Sequence, residues 1–222
     1  MLKRPQMLER HKVARLKWSK KMLQKGSSYW RQVVFSDEKK FNLDGPDGVA
    51  SYWHDLRREE KVFSTRHQGG ASLMLWGAIS VRGTSHLVRV QGTMDSTQYC
   101  SVLEEDLLPF AADNLGEQWT FQKDGASCHR SKYTKAWLDS KNVNLLDWPA
   151  KSPDLNIIEN VWGLLARRVY AHGRQFDNLE DLADCIIDCW CSITEQYLGK
   201  LYDSLPRRLV EVLEKKGGPT SY

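Results

Sequence analysis

Apolar residues recur along the chain with two different spacings, and each spacing predicts one kind of element. Short runs rich in β-branched and aromatic residues predict strands over 33–35, 49–53, 72–80, 86–90, 119–124 and 142–148. Apolar residues three or four positions apart predict helices, one beginning after residue 156 and the others over 96–110, 131–140, 178–191 and 194–213. Because the later strands alternate with helices, the pattern predicts an α/β fold, with a mixed or parallel sheet covered by helices on both faces.

The first 25 residues combine a helical pattern with a high positive charge. They contain nine Lys or Arg residues and one acid, Glu9, whereas the whole chain has a net charge of only +4. Val13, Leu16 and Leu23 are spaced so that one side of this helix can pack. Two interpretations stay open: a solvated helix face, or an arm that neutralises the phosphates of a nucleic acid. We expect residues 1–28 to form a basic helical arm that resembles a linker.

Length and composition narrow the class of protein. The chain has 222 residues, of which 41% are hydrophobic, enough for one folded domain with a sizeable core. No apolar run approaches the roughly 18–20 residues that span a bilayer, so no membrane partner is expected. The N-terminus lacks the apolar segment of a signal peptide, and the five cysteines are irregularly spaced. We therefore expect an intracellular protein with reduced thiols.

Three carboxylates stand at the ends of predicted apolar elements. Asp37 ends the first strand, Asp124 ends the strand over 119–124, and Glu159 lies in the helical run SPDLNIIENVWGLL (152–165). A carboxylate buried in such a run is costly unless it is paired, hydrogen-bonded or bound to a metal, and the alternative is a Glu at the rim of a core helix. Because the ends of neighbouring strands form a crevice in α/β proteins, we expect the three acids to converge.

This acidic set has no His or Cys partner, which determines the metal that it would hold. Carboxylate oxygens suit Mg²⁺, or Mn²⁺, rather than Zn²⁺. Two such ions about 3.5–4 Å apart can activate an attacking oxygen and stabilise a leaving oxygen at phosphorus. The residues therefore predict metal-dependent phosphoryl transfer.

Four segments carry a resemblance to a known family: VVFSDEKKFNLDGPDG, LMLWGAIS, FQKDGASCHRS and LLDWPAKSPDLNIIENVWG. In this order, and with 34 residues between Asp124 and Glu159, they resemble the catalytic domain of mariner/Tc-type DDE transposases, and among these the Tc3-like branch most. The resemblance implies that residues 29–222 form an RNase H-like DDE catalytic domain with C-terminal helices. It also implies that Asp37, Asp124 and Glu159 are the catalytic residues and hold Mg²⁺ or Mn²⁺.

The same resemblance implies a function. Members of this family cut DNA at the ends of a transposon by hydrolysis and then join the freed 3′-OH to a target, typically at TA. DNA is therefore the expected partner, a homodimer on DNA is an expected assembly, and the nucleus is the expected location.

The sequence also departs from the family pattern. The family usually has Asn after the second Asp and Pro two residues before the Glu, whereas this chain has Gly125 and Ile157. Gly125 makes the backbone after the second acid more flexible. Without the proline, the first turn of the helix lacks a residue with a fixed φ angle, although Asp154 or Asn156 can cap the helix. Family members carry two helix-turn-helix units ahead of the catalytic domain, and this sequence begins at the basic arm. These departures leave a second hypothesis, a weak or inactive transposase remnant that acts as a DNA-binding or interaction protein.

Several other residues have competing interpretations. Cys128 and His129, beside the second acid, are candidates for a zinc or thiol site, although no second Cys or His pair accompanies them. Glu38 follows the first acid on the opposite strand face and is expected to point away. Trp18 is a candidate for stacking on a base, with core packing as the alternative. The cysteines of one apolar helix are expected in the core: Cys185, Cys189 and Cys191.

Overall fold

The computed structural model describes residues 7–46 and 71–222. In these ranges the α-helices are α1 (Glu9–Leu23), α2 (Gly26–Trp30), α3 (Ser96–Val102), α4 (Leu108–Leu115), α5 (Lys132–Ser140), α6 (Ile158–Val169), α7 (Leu179–Cys191) and α8 (Glu195–Glu214). The strands are β1 (Val33–Asn42), β2 (Ser72–Ser80), β3 (Gly83–Thr84), β4 (Val88–Val90) and β5 (Thr120–Gln122). Short 3₁₀ turns lie at Cys128–Arg130, Pro153–Leu155 and Ala171–Gly173.

The described strands form one mixed sheet, as the sequence predicted. Their order is β3-β2-β1-β5, and β4 also pairs with β2. β1 is antiparallel to β2 and parallel to β5. The strand predicted over 33–35 continues to Asn42, because its polar second half pairs with β2 all the way to Ser72. The strand predicted over 49–53 lies outside the described residues.

The strand predicted over 142–148 is wrong in its extent. Only Leu145 forms a bridge, parallel to Phe121, supported by two backbone hydrogen bonds. Asn142 has a φ of 53°, which is not a strand conformation. At the other end, the carbonyl of Asp147 accepts a hydrogen bond from the indole of Trp18. Because the segment turns away from the sheet at both ends, it cannot continue the ladder.

The helix predicted over 96–110 continues to Leu115 and is irregular in the middle. A π-helical turn, Leu103–Leu107, joins α3 to α4. Pro109 has no N–H to donate to the carbonyl four residues before it, so a regular α-helical bond is missing where the turn widens. The helix ends at Gly116, whose φ of 75° suits glycine.

Helices cover both faces of the sheet, which confirms that part of the prediction. Val33 and Phe35 of β1 contribute to one core together with α1, α6, α7 and α8, and Val34 contributes to a second core with α3, α4 and α5. Cys185 and Cys189 are half-buried against the first core, but Cys191 is exposed, so its predicted burial is wrong. Across the described ranges, no helix combines the length and the apolar character that crossing a membrane requires.

The basic arm is helical, and it belongs to the same core as the rest of the domain. α1 packs against α8, and Trp18 and Met22 are buried. The ring of Trp18 makes edge contacts with Trp30 and Trp148. The base-stacking interpretation of Trp18 is therefore wrong, because its faces are covered by the protein itself. The domain boundary between residues 28 and 29 stays a prediction.

One cation of α1 is fully buried and holds the chain ends together. Arg15 donates two hydrogen bonds to the Asp154 carboxylate, at 2.8 and 2.7 Å, and two more to the carbonyls of Gly217 and Gly218. The backbone N–H of Thr220 donates to the same carboxylate at 2.8 Å. Arg15 thus connects the arm, the loop before α6 and the C-terminal segment.

Candidate active site

Two of the predicted acids lie side by side because of the parallel pairing of β1 and β5. Asp37 lies within β1, on the strand face of Phe35, and not at the end of the strand as predicted. β5 ends at Gln122, which is opposite Phe35 in the register. Asp124 follows two residues later. Since both strands run in the same direction, Asp37 and Asp124 reach the same place beyond the end of β5.

The third acid, Glu159, lies in the first turn of α6. Ile158 and Trp162 of this helix are buried, whereas Glu159 is exposed. The interpretation of Glu159 as a buried carboxylate is therefore wrong, and the rim position is correct. The helix turns its apolar residues to the sheet and leaves this one carboxylate facing out.

The start of α6 is fixed by hydrogen bonds that the sequence did not predict. The amide of Asn156 donates to the carbonyl of Ser36, one residue before Asp37, at 3.3 Å. Arg208 of α8 donates to the carbonyl of Asp154 at 3.0 Å and to the side chain of Asn160 at 2.8 Å. Neither Asp154 nor Asn156 caps α6 with its side chain: the carboxylate of Asp154 binds Arg15 and Thr220, and Asn156 uses its amide nitrogen to bind Ser36. The start of α6 is thus held by hydrogen bonds to β1 and α8.

All three predicted acids line one open cleft with a volume of about 430 Å³. The loop over 148–153 and Gly125 form other parts of its wall. A Cβ at Gly125 would meet only Arg130, at 3.9 Å, which is an ordinary contact distance. No close packing therefore requires a glycine at this position, and its presence in place of the usual Asn leaves open space. In the part of the chain that the structure describes, no three Asp, Glu, His or Cys side chains are already arranged to hold a metal ion.

The electrostatics show that the acids influence one another. Burial raises the pKa of Asp37 well above its usual range, and the negative charges of Glu159, Glu38 and Asp124 raise it further. Although Glu159 is exposed, the neighbouring wall of the cleft partly desolvates its carboxylate and raises its pKa, and the positive charge of Lys39 opposes this shift. Like charges that share a cleft favour proton or cation uptake. The cleft is therefore a place where a cation would be stabilised.

Asp124 behaves differently, because it has a strong partner in His129. The Nδ1 atom of His129 lies 2.6 Å from Oδ1 of Asp124, and the backbone N–H of Ala126 donates to the same oxygen at 2.9 Å. The hydrogen bond from His129 lowers the pKa of Asp124, against the effect of burial. Asp124 is therefore the acid that most readily stays ionised in this cleft.

His129 also contacts Glu38, on the opposite face of β1 from Asp37. Its Nε2 atom lies 3.3 Å from Oε1 of Glu38, close enough for an ion pair but without the alignment of a hydrogen bond. Burial alone would lower the pKa of His129, but Asp124 and Glu38 together raise it to about 9. Glu38 does point away from the first acid, as predicted, and reaches the second one through this ring.

His129 is the residue whose role sequence reasoning missed. The structure does not support the zinc interpretation of Cys128 and His129, because both ring nitrogens of His129 face carboxylates and, among the described residues, no three Asp, Glu, His or Cys side chains are arranged to hold a metal ion. The adjacency of His129 to Asp124 in the sequence was the available signal. The sequence could not reveal the contact of His129 with Glu38, because the fold brings Glu38 to the ring from β1.

Comparisons with known proteins relate this chain to a family of endonucleases and to transposases. Residues 32–183 match the DDE superfamily endonuclease family. The chain is 43% identical to the Tc3 transposase of Caenorhabditis elegans over 212 residues, which are 96% of this chain and 64% of that protein. It is 36% identical to the Tcb2 transposase of Caenorhabditis briggsae over 227 residues, which are 99% of this chain and 81% of that protein.

Solved structures support the same fold. A Mos1 transposase paired-end complex with the left transposon end has a TM-score of 0.84 at 19% identity, over 99% of this chain and 66% of that one. The fold is thus that of an RNase H-like catalytic domain. The chain belongs to the DDE superfamily endonucleases, and the predicted resemblance to mariner/Tc-type transposases is confirmed. It spans about two thirds of the length of the Tc3 and Mos1 transposases.

Proposed function

We propose that this chain is the catalytic part of a DNA transposase, with Asp37, Asp124 and Glu159 as its catalytic carboxylates. The observation that carries the proposal is that acids from β1, from the segment after β5 and from α6 line a single cleft. The reaction is hydrolysis of DNA at a transposon end, followed by transfer of the freed 3′-OH to target DNA. Relatives that cover almost the whole chain are described as transposases, and no comparison favours the non-enzymatic remnant.

The donor set fits Mg²⁺ or Mn²⁺. The three side chains offer only carboxylate oxygens, which these ions prefer. The pKa of Asp37 is raised first by burial and then by the negative charges of its neighbours, and a bound cation would offset those charges. Mos1 complexes have been solved with Mn and with Mg. When bound, such ions supply activation of the attacking oxygen and stabilisation of the leaving one. The chain's own contribution is to hold the carboxylates: Asp37 in a strand, Glu159 at an anchored helix start, and Asp124 against His129.

DNA is the partner that the surface charges fit. Lys151 and His11 line the cleft beside the acids. Exposed cations of α1 lie on one side of the helix, seven and four residues apart: Arg10, Lys17 and Lys21. Cations exposed along one side of a helix can neutralise the phosphates of a bound duplex. Arg15 is excluded from this role because it is buried against Asp154.

The assembly and the location follow from the same proposal. Mos1, which shares the fold, has been solved as a paired-end complex with transposon-end DNA. We propose that this chain also acts on DNA as a homodimer, and that its location is the nucleus, where chromosomal DNA is available.

A nicking assay tests the proposed function. The purified chain is incubated with supercoiled plasmid and Mg²⁺ or Mn²⁺, and nicked product is measured by gel. Asp124→Asn and Glu159→Gln keep the size of each side chain but remove a metal-binding charge, so nicking should disappear while the fold is retained. Asp139→Asn, which changes an exposed carboxylate of α5, is the matched control and should cut at the wild-type rate. Equal cutting by all four proteins would place the activity in a contaminant or at another site.

A further inference from the structure

The imidazole of His129 stands between two carboxylates that come from different parts of the chain. Its Nδ1 atom is 2.6 Å from Asp124, and its Nε2 atom is 3.3 Å from Glu38 of β1. The ring is only 4% exposed and stacks on Tyr99 of α3, with 4.0 Å between the ring centroids. Both nitrogens and one face of the ring therefore have defined neighbours.

The backbone around His129 is held as firmly as its ring. The ammonium group of Lys123 donates to the carbonyl of His129 at 2.9 Å. The hydroxyl of Thr134 donates to the carbonyl of Cys128 at 2.7 Å, and the hydroxyl of Ser131 caps the start of α5 through the Thr134 N–H. The 3₁₀ turn that carries His129 is thus fixed to the segment after β5 on one side and to α5 on the other.

Asp124 needs such support more than the other two acids do. It lies after the end of β5, outside any ladder, and its side chain is 49% exposed. Among the described residues, its two hydrogen-bonding partners, His129 and Ala126, both bind Oδ1. The second oxygen, Oδ2, is then left to bind an ion, in an orientation that the Nδ1 contact determines.

We propose that His129 is a positioning residue that orients the Asp124 carboxylate for metal binding, and that Glu38 holds the imidazole from its other side. The inference rests on the proposed function, since it assigns Asp124 to a metal. His129 itself does not touch the metal or the DNA. Its contribution is to fix one oxygen of Asp124 so that the other meets the ion without first losing rotational freedom.

Two substitutions separate the two ring nitrogens. In the same rotamer, the amide nitrogen of Asn occupies about the position of Nδ1, and that of Gln occupies about the position of Nε2. His129→Asn therefore keeps the donor to Asp124 and removes the interaction with Glu38, whereas His129→Gln does the reverse. Binding of Mn²⁺ to the full chain is measured by electron paramagnetic resonance, with thermal unfolding of each variant recorded in parallel. Asp124→Asn serves as the reference for loss of the site.

We expect His129→Gln to weaken Mn²⁺ binding about 10–100-fold, as for other residues that orient metal ligands, and His129→Asn, which loses only the second contact with Glu38, to weaken it by a clearly smaller factor. Equal affinities for the two variants, whether both high or both low, would overturn the positioning role. If the wild type binds no Mn²⁺ that depends on Asp124, the proposed function itself fails, which is a different result.

A measurement on the wild type covers the case in which both variants fail to fold. The proton on Nδ1 of His129, shielded from water and bonded to a carboxylate, should give a low-field NMR signal that Asp124→Asn removes. Addition of Mg²⁺ should shift this signal, because Asp124 then shares its charge with the ion. A signal that does not move while Mg²⁺ binds would overturn the proposal.

Discussion

Gly77 lies opposite Asp37 in the β1–β2 ladder, and large side chains fill the space beside it. A Cβ at this position would lie 3.0 Å from Leu87 and Trp162 and 3.2 Å from Trp190. Trp162 is one turn after Glu159 on α6. The absence of a side chain at Gly77 therefore allows α6 to approach the strand that carries Asp37, and the distance between two of the acids depends on it.

Substitution of Gly77 tests this dependence. Gly77→Ala should lower the free energy of unfolding by about 1–3 kcal/mol, the usual cost of overpacking a core. Nicking should fall as well, because displacement of Trp162 moves Glu159. Gly199→Ala in α8 is the control: nothing lies within 4 Å of a Cβ there, so the helix should gain about 0.5–1 kcal/mol. Urea unfolding measures both, and similar stabilities for the two variants would contradict the packing argument.

At the scale of elements, the sequence predicted best where the signal is local. The apolar run over 72–80 coincides with β2, and the periodicities over 178–191 and 194–213 agree with α7 and α8 to about one residue. These elements are determined by residues within a few positions of one another. The prediction over 142–148 failed at one end because Asn142 and Val143 close the end of α5 with bonds to Asp139 and Leu138. It failed at the other end because the distant Trp18 binds the carbonyl of Asp147.

The same distinction applies to the site. Asp37, Asp124 and Glu159 could be found because each lies in or beside a local apolar run of the sequence. Arg15 and His129 could not be placed, since their partners, Asp154 and Glu38, come from distant parts of the chain. In the sequence, Arg15 is one of nine cations in a basic segment, and only the fold separates it from the others.

Asp154 gives a prediction about how α1 and the loop before α6 are held together. Asp154→Asn leaves the buried guanidinium of Arg15 without its counter-charge, which typically costs about 3–5 kcal/mol of unfolding free energy. Asp147→Asn removes a carboxylate from an exposed pair with Lys21 and should cost about 0–1 kcal/mol. Unfolding in urea at neutral pH compares the two. Equal losses of unfolding free energy in the two variants would show that the buried pair of Arg15 and Asp154 stabilises the fold no more than the exposed pair does.

The pH dependence of the Asp154 contribution follows from its shifted pKa. Burial raises the pKa of Asp154, but Arg15 and Thr220 outweigh burial and lower it overall. The stability from this ionised group is therefore present above the ordinary Asp pKa of about 3.9 and is lost as the pH falls through the lowered value. The difference in unfolding free energy between the wild type and Asp154→Asn should shrink in acid. A difference that stays constant to low pH would contradict the shift.

At the scale of the whole molecule, the sequence predicted a basic helical arm, and the structure divides the residues of this arm between two roles. Arg15, Trp18 and Met22 belong to the core, whereas Arg10 and Lys17 are exposed two helical turns apart on one side of α1. Removal of the arm would therefore damage the core as well as the charge. A test of DNA binding has to change the exposed cations alone.

The double substitution Arg10→Ala and Lys17→Ala should weaken binding to duplex DNA of any sequence, because it removes charge that neutralises phosphates. In a plot of log affinity against log salt concentration, the slope should become shallower by about 0.9 for each phosphate that the variant no longer neutralises. Lys132→Ala with Lys135→Ala removes the same charge from exposed positions on α5, which covers the other face of the sheet. That control should leave the slope unchanged if DNA lies along α1 and the cleft. Fluorescence anisotropy at several salt concentrations measures both variants, and equal slope changes would mean that net charge, rather than the surface of α1, determines binding.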